Sequence, residues 1–251
     1  MAATLIGNAI PNILAIDNGG TNTRFARGGG LILPENITSC PTPRDYESAI
    51  IQIGRLGREA LGDQMPDFVG VSLAGAVGDG RITSAGTLEE YGWVNRPYAE
   101  DVANVFGIEP SRVKLLNDCV AGAAAERDSR ALEATQFGAF MVLSTGFGGA
   151  LYTPRELIPD EPGHYFLKPG AVCGDGQEGH AEAHISGYAL KQKYGTAGEN
   201  IPHDDPRWAE VKDDFHNTLA MTLERYGHDY GIRLEVIGFS GFSSIARSRY
   251  A

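Results

Sequence analysis

Asp17-Asn18-Gly19-Gly20-Thr21-Asn22-Thr23-Arg24 follows a short apolar run at residues 13–16. This order predicts a strand that ends on a carboxylate and turns directly into a hairpin, because Asn and Gly accept the backbone angles of a tight turn. Gly19 and Gly20 let backbone N–H groups close around an anion with no side chain in the way. Asp17, at the strand end, can hold Mg²⁺ through water, since that ion keeps much of its hydration. Read alone, the stretch equally fits an ordinary Gly-rich hairpin with Asp17 as a turn residue.

Outward from this turn, residues 23–27 and 31–33 read as further strands. Tyr46, Ala49, Ile50, Ile53, Leu56 and Ala60 then recur at the spacing of one helix face. Thr42 and Pro43 are expected as N-cap and first helical residue, with Asp45 and Glu47 in the first turn and Gly62 closing the helix. Residues 68–73 read as a buried strand, 98–106 as a helix, 112–116 as a strand and 120–127 as an Ala-rich helix. Strands at 140–144 and 150–153 start a second set around another Gly-rich turn, Thr145-Gly146-Phe147-Gly148-Gly149. A helix at 181–194 and a strand at 234–239 extend this into a partial repeat of element order, with little residue identity between the halves. The expected architecture is α/β, with two lobes, 1–118 and 119–251, facing each other across a cleft.

Two Gly/Thr turns, one per lobe, suit the clamping of a triphosphate from both sides. Neither is a Walker A loop, since no Gly-Lys-Ser/Thr follows, and neither has the Gly-x-Gly-x-x-Gly dinucleotide spacing. Asn117-Asp118 ends a strand and opens a helix. Asp118 there is either a plain N-cap or a base that takes the proton of an attacking hydroxyl.

Composition narrows the classes. A net charge of −11 is the wrong sign for a nucleic-acid partner, which clustered Lys and Arg would have to hold. Three scattered cysteines make no disulfide framework. No basic start with an apolar core marks a secretory signal, and no run nears the roughly 20 apolar residues that span a bilayer. The expected setting is the cytoplasm, away from membranes.

Over residues 17–240 the chain resembles the ROK family (repressors, open reading frames and kinases) and, more loosely, bacterial glucokinases. The resemblance is carried by Asp17 to Thr21, Leu116-Asn117-Asp118, Ser144 to Gly149, Glu161-Pro162-Gly163-His164, Cys173 to Glu182 and Ile185 to Leu190, in that order. It implies two RNase H-like lobes of the actin-like ATPase superfamily and an ATP- and Mg²⁺-dependent transfer to a sugar hydroxyl. Asp118 corresponds to the general base. Gly75, Asn117, Glu161, His164 and Glu182 correspond, with Asp118, to sugar contacts. Asp17, Gly19, Gly20, Thr21, Thr145, Gly146, Gly148, Gly149, Gly238 and Gly241 correspond to the nucleotide site. Glucose, N-acetylglucosamine and N-acetylmannosamine are the implied substrates, the 6-hydroxyl the implied acceptor, and a homodimer the implied assembly.

Two departures from the family pattern stand out. Where the family has Asn before a Gly-Trp pair, this chain has Leu88-Glu89-Glu90-Tyr91 before Gly92-Trp93. The family's zinc module, Cys-x-Cys-Gly-x-x-Gly-Cys-x-Glu after an upstream His, is degenerate here within residues 161–182. His164 and Cys173 are kept, but Asp175 and His180 take the other two positions. Such a set is chemically able to hold Zn²⁺ and is poorer in soft ligands than three thiolates; the alternative is a loop held by hydrogen bonds alone. The resemblance also implies further elements after Gly241, so the second lobe is expected to be shortened. The favoured class is an active hexose or N-acetylhexosamine kinase. A catalytically weak sugar-binding or scaffold protein is the alternative, and a repressor would need a helix-turn-helix before Asp17.

Overall fold

The computed structural model describes residues 10–29, 37–62, 64–129, 137–196, 200–202, 204–231 and 234–241. Its contacts divide the chain into two compact units, Met1–Asp118 and Cys119–Ala251.

The first unit is built on β1 (Ile13–Asn18), β2 (Asn22–Gly28), β3 (Ile37–Pro41), α1 (Tyr46–Leu61), β4 (Phe68–Leu73), a small hairpin of β5 (Val77–Gly78) and β6 (Arg81–Ile82), α2 (Tyr98–Phe106) and β7 (Val113–Asn117). Five strands form one sheet in the order β3-β2-β1-β4-β7. β1 runs antiparallel to β2 and parallel to β4, which in turn runs parallel to β7. Leu14, Ile16 and Asn18 alternate onto the buried face of β1, so Asp17 lies on the other. The core joins β1 and β4 to α1 and α2 through Leu14, Phe25, Tyr46, Ile53, Val71, Tyr98 and Phe106.

α1 begins later than the sequence predicts. Its N-cap is Asp45, whose carboxylate accepts from the Ser48 N–H at 2.8 Å. Thr42 is engaged elsewhere, its hydroxyl bonding the Thr23 hydroxyl at 2.8 Å and donating to the Gly19 carbonyl at 2.7 Å. Gly62 closes the helix in the left-handed region, as expected, at φ 62°. The strand expected at 31–33 lies outside the described residues, and β3 supplies the third strand instead.

The second unit contains α3 (Asp118–Ser129) from Cys119 onward, β8 (Gly138–Leu143), β9 (Phe147–Tyr152), β10 (Leu157–Asp160), α4 (Glu182–Ile185), α5 (Gly187–Tyr194), α6 (Arg207–Tyr230) and β11 (Val236–Gly241). Its sheet order, β10-β9-β8-β11, repeats that of the first unit strand for strand, and no counterpart of β7 occurs among the described residues. The single helix expected at 181–194 is two. Ser186 takes extended backbone at ψ 166°, which ends α4, and its hydroxyl accepts from the Ala189 N–H to cap α5.

In this unit β10 and the long α6 escape the sequence reading, as β3 and the β5–β6 hairpin do in the first. The face of α6 that carries Trp208, Val211, Phe215, Thr218, Thr222 and Tyr226 is buried. Its two buried threonines are satisfied by the helix itself, each hydroxyl donating 2.8 Å to the carbonyl four residues earlier.

Candidate functional sites

In the first unit the decisive turn is braced from several sides. The Gly19 N–H donates to the Asn22 carbonyl at 3.0 Å, and the Thr42 N–H donates to the Thr21 carbonyl at 2.9 Å. Buried Asn18 accepts from the Tyr98 hydroxyl at 2.7 Å. A Cβ on Gly20 would lie 2.8 Å from Thr87 Oγ1, so a larger residue would displace its neighbour. Asp17 accepts from Arg24 Nη1 at 2.8 Å and from Ser72 Oγ at 3.2 Å. With 47% of its side chain exposed, it keeps a solvent-facing side on which a hydrated cation has room. The sequence pattern did not point to Arg24 or Ser72 as its neighbours; strand register places both there.

At the same end of this sheet, two strands across from β1, Asn117 closes β7 level with Asn18 and donates from Nδ2 to the Gly75 carbonyl at 2.9 Å. Gly75 packs so tightly on Ser84 that a Cβ would overlap the Ser84 carbonyl oxygen. Glu89, in the departing segment, accepts from the Ala85 N–H at 3.1 Å, and this bond holds its carboxyl below the usual range. Trp93 is fully buried, stacks on Tyr98 and donates from Nε1 to the Arg44 carbonyl at 2.6 Å. It is a core residue. Asp118 follows Asn117 directly as the first residue of α3.

The second unit gathers the remaining residues more closely. The Ser144–Gly146 turn follows β8 at the place where the first turn follows β1. Its Ser144 and Thr145 carbonyls accept from the Gly187 and Tyr188 N–H groups at 2.7 and 3.0 Å. Glu182, opening α4, accepts from the Phe147 N–H at 3.3 Å. A Cβ on Gly146 would stand 3.0 Å from Glu182 Oε2. One on Gly148 would stand 2.9 Å from Cys119 Sγ and 3.5 Å from Glu161 Oε2. One on Gly149 would meet the Pro162 ring at 3.2 Å, and one on Gly163 would overlap the Phe147 carbonyl oxygen. Glycine at these positions lets Glu161, Glu182 and the turn share one small space. Gly238, on β11, is hemmed by Phe140 and Glu126, and Gly241 pairs with Leu143 at the strand end.

His164, Cys173, Asp175 and His180 converge. The Cys173 thiol donates to Asp175 and lies 3.1 Å from His180 Nδ1. Asp175 Oδ2 lies 3.3 Å from His164 Nδ1 and 3.6 Å from His180 Nδ1. Burial, then the bond to Asp175, raises the Cys173 thiol, and the same bond with the Gln177 N–H lowers Asp175. His164, Asp175 and His180 bring their ligand atoms within 4.8 Å of one another, with the Cys173 thiol beside Asp175 and His180, and carboxylate, imidazole and thiolate are all ligands that zinc accepts. The loop is secured beyond these side chains: the Gly179 N–H donates to the Ala171 carbonyl and the Leu167 N–H to the Gly179 carbonyl, both at 2.8 Å.

No helix among the described residues is long and apolar enough to cross a membrane. Comparison with known proteins gives three findings. The model of the ROK family matches residues 13–226. The N-acetylmannosamine kinase of Pasteurella multocida is 31% identical over 50% of this chain and 43% of its own length, and that of Haemophilus influenzae 29% over 71% and 60%. The chain therefore spans between 43% and 60% of the length of these two relatives. A ROK family glucokinase from Streptomyces griseus, solved with glucose and AMPPNP, shares the fold at a TM-score of 0.74 and 22% identity, over 93% of this chain and 84% of that one.

Proposed function

The chain belongs to the ROK family, and from that premise we propose that it is an ATP-dependent sugar kinase acting on a hexose or N-acetylhexosamine. One observation carries the reading: Glu161 and Glu182 both reach the Gly146–Gly149 segment, where glycines leave the backbone bare. Carboxylates suit sugar hydroxyls, and a glycine-rich turn lets a phosphate approach the backbone closely. A site with both beside one another brings an acceptor hydroxyl and a phosphoryl donor together.

In this reading Asp118 takes the proton from the acceptor hydroxyl as its oxygen bonds the γ-phosphorus and the bond to the β-phosphate oxygen breaks, releasing ADP. Asn117, Gly75, Glu161, His164 and Glu182 orient the sugar. Gly19, Gly20, Thr21, Thr145, Gly146, Gly148 and Gly149 contact phosphates, and Gly238 and Gly241 lie against the adenosine. Asp17 would hold hydrated Mg²⁺, which would offset negative charge on the phosphates. Most of the rate comes from positioning and charge stabilisation, since the protein does little covalent work in such transfers.

His164, Cys173, Asp175 and His180 would hold Zn²⁺, which would tie the 164–180 loop together. His164 turns Nδ1 to Asp175, so its Nε2 is the nitrogen left for a sugar hydroxyl. The names of the relatives make N-acetylmannosamine and glucose the first sugars to try. The test is ATP turnover with Mg²⁺ across hexoses and N-acetylhexosamines, with Asp118→Asn as control. Sugar-dependent turnover lost in the variant supports the kinase. Folded protein with no turnover on any sugar overturns it in favour of a sugar-binding member of the family.

A further inference from the structure

Residues 161–164 form a short 3₁₀ turn, with the His164 N–H donating to the Glu161 carbonyl at 2.9 Å. So short a turn has little rigidity of its own. Its flanks are tied instead. Asp160, just before it, and Tyr165, just after it, meet side chain to side chain: the Tyr165 hydroxyl lies 2.7 Å from both Asp160 carboxylate oxygens. The Tyr226 hydroxyl, from α6, donates to Asp160 Oδ2 at 2.5 Å. Tyr226 has no solvent exposure, and the neighbouring Arg225 sits 4.1 Å over the Tyr165 ring, itself held by Asp229. One carboxylate thus receives two tyrosine hydroxyls, and both bonds are charge-assisted. Burial pushes both tyrosines above their ordinary range, so they remain donors at working pH.

A hydroxyl on a buried tyrosine needs some acceptor, but not this one. Here the acceptor adjoins Glu161, and the second donor adjoins His164. The tie therefore fixes the two ends of the turn relative to each other and anchors both to α6. We infer that Asp160, Tyr165 and Tyr226 form a clamp that positions Glu161 and His164 for the sugar, making α6 a supporting element of the sugar site. This rests on the reading of Glu161 and His164 as sugar contacts. The three clamp residues act through that turn and touch no reacting atom.

The test compares Tyr165→Phe, Tyr226→Phe, Asp160→Asn, Asp160→Ala and Glu161→Gln. Loss of a charge-assisted bond in the clamp should raise the KM for the sugar about 5- to 20-fold in each Tyr→Phe protein, with the KM for ATP within about twofold. Asp160→Asn, which keeps an acceptor, should fall nearer the unaltered protein than Asp160→Ala. Hydrogen exchange supplies a readout that needs no ligand: the His164 and Tyr165 amides should exchange about tenfold faster in Tyr226→Phe, with the β8 and β9 amides unchanged. Sugar KM raised by Glu161→Gln but not by either Tyr→Phe change would overturn the clamp and leave the sugar site standing. Glu161→Gln with unchanged sugar KM would overturn the sugar-site reading and the clamp's purpose with it. Exchange that rises equally throughout the second unit would also refute it, as the mark of general loosening.

Discussion

The Phe147 N–H donates to Glu182 Oε2 at 3.3 Å, joining the Gly-rich turn after β8 to the first turn of α4. The contact spans 35 residues and places a carboxylate at the start of β9, beside the turn. Replacing Glu182 by Gln keeps an acceptor but removes the charge. Bonds to charged groups are worth about 1 kcal/mol more than neutral ones, so the sugar KM should rise roughly fivefold. Steady-state kinetics check this, and an unchanged KM would remove Glu182 from the site.

Asp118→Asn cannot take a proton. Turnover should fall by about 10²- to 10⁴-fold, the usual worth of a general base, while sugar affinity stays within a few-fold. Near-normal turnover in the variant would refute the assignment of the base.

Gly122→Ala weighs two opposed effects. Alanine gains about 1 kcal/mol of helix propensity in α3. Its Cβ, however, would overlap the Phe140 ring, and overpacking of that kind costs about 1–3 kcal/mol. Packing wins, so the urea midpoint should drop. A rise would mean Phe140 moves aside at little cost.

Purified protein should carry one zinc per chain, lowered several-fold by His180→Ala. Metal analysis decides it: less than about a tenth of an equivalent would mean that hydrogen bonds alone hold this loop.

Stability should decline in acid. The Asp205 carboxyl is held down at about 2 by hydrogen bonds from Arg207, against an ordinary 3.8. Asp45 is likewise lowered by Ser48, and Glu89 by Ala85. A depressed acid contributes stability that is fully present above its unfolded value and lost as pH falls through its folded one. Urea midpoints should therefore hold above about pH 5 and fall steadily below about pH 4. Asp205→Asn should flatten part of the decline, and a midpoint that does not respond to acid would contradict the assignment.

Periodicity and turn chemistry determine much of the architecture. Phe68–Leu73 and Tyr98–Phe106 stand where the pattern put them, because each buries one face and local composition reports burial. The turn after β1 is equally visible, since glycine and asparagine at strand ends act locally; the second, expected over 145–149, is shorter, because Phe147, Gly148 and Gly149 already pair with β8 as the start of β9. α6 escapes the sequence reading although Trp208, Val211, Phe215, Thr218, Thr222 and Tyr226 follow helical spacing; Asp214, Thr218 and Thr222 interrupt that buried face, which hides it from a search for apolar stripes. The N-cap of α1 was misplaced because Thr42 and Asp45 are both good caps, and only the fold shows Thr42 engaged by Thr23 and Gly19. The tie of Asp160 to Tyr226 spans 66 residues, and no local pattern announces it. Sequence by itself therefore determined the strand-and-helix order and the glycine turns, which depend on near neighbours. Tertiary structure alone decided which distant side chains share a carboxylate, because that depends on strand register and helix packing.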